Sequence, residues 1–393
     1  MSFKKMKESN LFFGLTMSLI VLLIVSLTLN LMPCNGPEQN NCPALEIKAA
    51  PLYPALEIKN TPLISNLDNN QTLVYELFIK TYSPVEFAKI EIVDSGSNVV
   101  LKTLSGDYLN ASLRNVPRDN SAFAALLWLN LPKQQIPSSI YHRVYFRQNN
   151  EEEPISGAAI NISTEELAIS GPPLKGDKWL AASAPPGLTV HRKALIMLQG
   201  LDFFPERYAI DWMRYGPDNL LYKNEGAVNE DYYCYGSDLL AVSDGRIVDA
   251  KDGIPDNKPL EYPKNLPLVN YGGNYVVLEI DQNHYAFYAH LIPGSIKVKI
   301  GDEVKKGQVI GKLGNSGNSD APHLHFHVCS SQNFLFSEGL PYLFDSYSLE
   351  GASRNWEKDW VAGNLSWNKF SSPQKKVSTM PIDGDIIGFP EFQ

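Results

Sequence analysis

Positive charge is what this chain lacks beyond its first residues. Lys and Arg number 34 against 43 Asp and Glu, the net charge is −9, and no extended basic run follows Lys4, Lys5 and Lys7. That balance argues against nucleic acid as a partner. Repetition is also scarce: the hexapeptide PALEIK occurs at Pro43–Lys48 and again at Pro54–Lys59, and two copies are too few for a solenoid. Cysteines number four, enough in an exported chain for two bridges, Cys34 with Cys42 and Cys234 with Cys329. Histidines number only seven in 393 residues, so a cluster of them carries information.

What is present is ample apolar material, 44% of residues, which at this length predicts two or three domains with real cores. The segment Leu11 to Met32 is apolar and uncharged over 22 residues, long enough as a helix to cross a bilayer and longer than an ordinary signal core. Residues 1–34 are therefore expected to be a membrane anchor or signal segment, with the lysines inside and the rest of the chain extracytoplasmic. Leu31-Met32-Pro33-Cys34 is similar to a lipoprotein signal end but has proline before the cysteine, so acylation of Cys34 is the secondary expectation. Residues 35–62 read as a linker carrying the two PALEIK copies.

From 63 to 165 short alternating runs such as Leu73 to Ile79, Lys89 to Val93, Ala124 to Leu129 and Tyr141 to Phe146 predict a small β-sandwich. No paired titratable motif occurs there, so the sandwich is expected to be dispensable for chemistry, and His142 reads as a satisfied strand histidine. Pro-rich passages at Gly171-Pro172-Pro173 and Ala184-Pro185-Pro186-Gly187 lead into a β-rich region over 174–345, and the tail 346–393 shows no clear period. The fold class expected is mainly β.

Three of the seven histidines fall within five positions, in Ala321-Pro322-His323-Leu324-His325-Phe326-His327, just after a Gly/Asn/Ser loop at 314–319. In a strand the imidazoles of His323, His325 and His327 share one face. Imidazole is a ligand for zinc or another late first-row ion, and a catalytic site needs three protein ligands with one position open. The remaining ligands must come from elsewhere in the chain.

Tyr288-Ala289-His290-Leu291, Gly301 to Gly311, and Gly314-Asn315-Ser316-Gly317 leading into His323-Leu324-His325-Phe326 resemble, in order and spacing, the LytM/lysostaphin-type zinc endopeptidases of peptidoglycan. Arg207-Tyr208-Ala209-Ile210-Asp211-Trp212 is similar to the segment that carries that family's metal aspartate, and Ala241 to Val248 to its central turn. The resemblance covers roughly residues 187 to 330. It implies an exported peptidase using one Zn2+ ion, with Asp211 and His325 as ligands and His290 and His323 as the pair that moves the proton of water. It also implies peptidoglycan peptides as partners.

One ligand departs from the pattern. Four residues before the aspartate the family's commonest form has histidine, and this chain has Arg207, whose guanidinium stays charged and cannot bind a metal. His191 is the best substitute, since a hairpin turning near Leu201 would set it opposite Asp211. His284 is the alternative, and a metal-free site the remainder. His327 is expected to support the site or line its groove, and the loops Asp231 to Tyr235 and Asp252 to Asn257 either line that groove or are ordinary surface loops.

The alternative function is a catalytically inactive module that binds peptidoglycan or regulates another wall hydrolase, which leaves room for a regulatory protein partner. Val298 to Gly311 also resembles the turn of lipoyl and biotinyl carriers, but no lysine stands in the required hairpin setting.

Overall fold

The computed structural model describes residues 55–57, 64–67, 70–81, 85–116, 119–132, 136–148, 151–163, 167–362 and 367–390. The expected anchor over 1–34, most of the 35–62 linker, and Cys34 and Cys42 lie outside the described residues. Among the described residues no helix is long and apolar enough to cross a membrane. The second PALEIK copy is not wholly linker: Ala55–Glu57 is a strand, paired antiparallel with Asn70–Lys80.

The expected sandwich is there. One sheet holds Ala55–Glu57, Asn70–Lys80, Asp119–Leu131 and Leu113–Val116 in that order, with Ile64–Leu67 added on Asn70–Lys80, and the second holds Val100–Ser105, Glu86–Asp94, Ser139–Gln148 and Glu151–Asn161. Their facing residues form one core. Leu73, Tyr75, Leu77 and Ile79 from the first sheet meet Ile90, Ile92, Ile140 and Val144 from the second, as strict alternation requires. His142 is buried in that core with Nε2 2.9 Å from the Tyr75 hydroxyl. The alternate residues of Asn70–Lys80 face the other way. Val74 joins the core of the second unit, and the Phe78 ring packs edge-on to Phe204.

That second unit is built on a long antiparallel sheet with one parallel edge pairing. Its order runs Ala168–Ser170, Tyr342–Ala352, Asp385–Phe389, Gly176–Ala182, Ile210–Arg214, Leu324–Cys329, His284–Leu291, Asn274–Asp281, Gly245–Lys251, Glu303–Val304. Two expectations are corrected here. The tail after 345 is not irregular: Tyr342–Ala352 runs on to 352, a short helix follows over Trp356–Ala362, and Asn368–Thr379 and Asp385–Phe389 pair with Tyr342–Ala352. Asp385–Phe389 is buried throughout, and a strand covered on both faces has no polar alternation to reveal it. Nor are Cys234 and Cys329 bridged. Both are buried free thiols, with Cys234 Sγ donating to the Pro322 carbonyl at 3.0 Å.

Candidate metal centre

Three adjacent strands set the site. Asp211 on Ile210–Arg214 pairs with His325 on Leu324–Cys329, and His325 in turn pairs with Ala289 on His284–Leu291. Directly opposed residues of an antiparallel pair share a face and stand about 5 Å apart at Cβ. Asp211 and His325 are therefore brought together by register alone.

His191 arrives by a different route from the one expected. The hairpin exists, pairing Ile196–Leu198 with Leu201–Phe203 through a turn at Gln199 and Gly200, where φ is 50° and 85°, as a two-residue turn of this hand requires. Its ladder stops at Phe203, however, and does not oppose 191 to 211. Instead His191 opens a single 3-10 turn, His191–Lys193, and its Nδ1 lies 3.0 Å from the Ser183 carbonyl and 3.3 Å from that of Ala209. One ligand atom each from His191, Asp211 and His325 lies within 4.8 Å of the others.

The hydrogen bonds decide which nitrogens face the site. A carbonyl only accepts, so Nδ1 of His191 carries a proton and Nε2 is the nitrogen turned inward, 3.1 Å from Asp211 Oδ2, where it donates to the carboxylate until an ion takes the place of its proton. On His325 the roles reverse: Nδ1 is 3.0 Å from Asp211 Oδ1, and Nε2 is 3.0 Å from His327 Nδ1. Outer partners of this kind fix the tautomer and aim of a metal-binding imidazole. Two histidines and a carboxylate are the donor types found in open catalytic zinc sites.

His290 and His323 complete the group. Strand alternation would turn His290 away from the face that Phe287 and Ala289 share. Its φ of 66° reverses that, and the ring lies with centroids 4.7 Å from His323 and 5.9 Å from His325. Non-glycine residues seldom hold such a conformation unless their surroundings impose it, and such residues cluster at functional sites. Here the His290 N–H donates to the Gly272 carbonyl at 3.0 Å and Nδ1 to that of Ser316 at 2.7 Å. His323 Nδ1 donates to the Ala321 carbonyl at 2.8 Å, which leaves Nε2 3.4 Å from Asp211 Oδ1.

The charges are tightly coupled. Burial works against both partners, yet His191 is pushed up to about 9 by the Asp211 carboxylate, and Asp211 is held well below the usual carboxylate range by His191 and His323. His323 is raised as well, because Asp211 outweighs its burial, whereas burial holds His290 and His327 well below the usual imidazole value. The site thus mixes neutral imidazoles with others drawn toward the charged form, an arrangement suited to proton transfer.

His284, the alternative ligand, is remote. It begins the strand six residues before His290, about 20 Å along an extended chain, and pairs with Asp281 at 2.7 Å. The two loops brace the site. Tyr235 and the Asn315 N–H both donate to Asp256, and the Asn257 amide donates to the carbonyls of Gly317 and Ser319 in the loop before His323.

Arg207 does not face the ligands. It donates to Glu76 through Nε at 2.9 Å and Nη2 at 2.6 Å, to Glu338, and to the Gly339 carbonyl. Arg192, the residue after His191, also contacts Glu76. Glu76 belongs to the sandwich expected to be dispensable, and sequence reasoning missed it. The signal was faint: one carboxylate between Val74 and Phe78 on an otherwise apolar face.

Comparison with known proteins adds to this geometry. Residues 230–335 match Peptidase family M23, a span that includes His290, His323 and His325 and begins after His191 and Asp211. Over 160 residues the chain is 32% identical to glycyl-glycine endopeptidase ALE-1 of Staphylococcus capitis, covering 38% of this chain and 39% of that protein. Over 112 residues it is 37% identical to lysostaphin of Staphylococcus simulans, 28% of this chain and 19% of that one. Peptidoglycan DD-endopeptidase ShyA of Vibrio cholerae is 43% identical over 58 residues, 15% and 13% of the two chains. The chain thus spans well under half the length of each of these relatives.

Proposed function

From the match of residues 230–335 to Peptidase family M23, we propose that the chain is an exported zinc metalloendopeptidase that hydrolyses peptide bonds in peptidoglycan. The observation that carries this reading is the convergence of His191, Asp211 and His325 beside two further imidazoles whose Nδ1 atoms are both engaged by carbonyls. His191 Nε2, Asp211 and His325 Nδ1 would hold the ion. Bound there, zinc would supply a Lewis acid and bring the pKa of its water to about 7.

The chain's own residues do the rest. His290 is neutral and offers a free Nε2, so it can accept a proton from attacking water and pass it to the departing amine. His323, drawn toward the charged form by Asp211, can stabilise negative charge developing on the carbonyl oxygen. The printed name of the Vibrio cholerae relative, a peptidoglycan DD-endopeptidase, supports peptidoglycan as the substrate class, and the apolar run 11–32 supports export with retention at the membrane.

The inactive-module reading rested on Arg207 standing where a ligand histidine was expected. Arg207 is taken up by Glu76 and Glu338, and His191 supplies the missing donor. Metal analysis of the purified chain, together with digestion of isolated peptidoglycan, tests the proposal.

A further inference from the structure

The Glu76 carboxylate joins two elements that are separate in sequence and adjacent in space, and each carries a metal-facing residue. Arg192 follows His191 within the 3-10 turn. Arg207 lies four residues before Asp211, and the carbonyl between them at Ala209 receives His191 Nδ1. Glu76, Arg192 and Arg207 are 4%, 2% and 6% exposed.

The clamp extends in both directions. Arg192 Nη2 donates to the Tyr75 carbonyl at 2.6 Å and the Leu127 carbonyl at 3.3 Å, both in the sandwich. Arg207 Nη1 donates at 2.8 Å to the carbonyl of Gly339, which pairs with Cys329 on the strand of His325. Gly339 N–H in turn donates to the Phe204 carbonyl at 2.9 Å. Around this polar centre Phe204 packs with Val116, Ala124 and Leu126 of the sandwich.

We propose that Glu76 is a positioning residue for the metal centre: by binding Arg192 and Arg207 together it fixes the turns that carry His191 and Asp211, so metal affinity in one unit depends on a side chain of the other. The inference rests on the metal site proposed above. A buried carboxylate shared by two guanidiniums is costly to desolvate and adds little net stability over apolar packing, whereas removing one partner strands a buried charge. Its value here lies in geometry, because a ligand must be held to within about 0.5 Å of its productive position. The sandwich is accordingly not dispensable.

The test uses the full chain and two variants. E76L/R192L removes one negative and one positive charge together and leaves Arg207 with Glu338; E76Q keeps the shape and removes the charge. Zinc affinity is measured by competition with a chromophoric chelator, the cobalt-loaded protein is examined by visible absorption, and folding of the metal-free form is followed by circular dichroism. Wild type is expected to bind one zinc. The folded variants are expected to bind it about 10- to 100-fold more weakly, the cost usual for losing an outer partner of a ligand, with an altered cobalt spectrum. A variant that folds like wild type and binds zinc with the wild-type dissociation constant overturns the inference while leaving the metal site intact. A wild type that binds no zinc overturns the metal site and the inference with it.

Discussion

Asp211 Oδ1 and His325 Nδ1 stand 3.0 Å apart because their residues are direct partners across two antiparallel strands. Neither depends on a loop for its position. The other members of the site are placed by less regular means: His191 by a 3-10 turn, His290 by a left-handed residue inside a strand, His323 by the loop leading into one. The division predicts that the two register-fixed residues form the rigid part of the site and the others its adjustable rim.

His290→Ala and His323→Ala are expected to keep zinc and lose turnover by about 10²- to 10⁴-fold, since each removes a proton-transfer or charge-stabilising group and no proposed ligand. Metal content after gel filtration and the rate of release of peptidoglycan fragments check this. Loss of zinc from either variant would move that histidine into the ligand set.

His327 acts through His325, its Nδ1 lying 3.0 Å from His325 Nε2 with the ring buried beside Phe287. His327→Leu preserves the apolar packing and removes the acceptor. Zinc affinity should fall about 10- to 100-fold, measurable by the same chelator competition. Unchanged affinity would mean that His325 needs no partner to hold its tautomer.

Acid should loosen the contact between sandwich and large sheet. Burial alone would raise Glu76, but Arg207 and Arg192 outweigh it and lower the carboxyl to about 2 from 4.5. A folded-state pKa below the unfolded value gives stability that is complete above pH 4.5 and is lost as pH falls toward 2, here about 3 kcal/mol. Urea unfolding of wild type should therefore weaken between pH 5 and pH 3 by more than that of E76L/R192L. Parallel curves for the two proteins would show that the pair is not charged in the folded state.

The histidine strand was legible because His323 to His327 has one polar and one apolar face, and the sandwich because short β-branched and aromatic runs such as Leu73 to Ile79 are bounded by turn residues. His191 was reached by elimination, through a hairpin that exists but ends too early. His290 was found by resemblance; its turn toward the site depends on a φ of 66° that alternation cannot express. Glu76 was hidden for a related reason. Alternation says that Val74, Glu76 and Phe78 share a face, not that another sheet covers it. Asp385–Phe389, buried on both sides, offered no period at all.

The account turns on His191. Zinc bound per chain, measured for wild type and His191→Ala after exhaustive dialysis against a weak chelator, tests it most directly. The account predicts one zinc in wild type and loss of bound zinc from His191→Ala, as severe as from Asp211→Ala or His325→Ala, because three protein ligands are the minimum for a catalytic zinc site. Retention of zinc and activity by His191→Ala would contradict it.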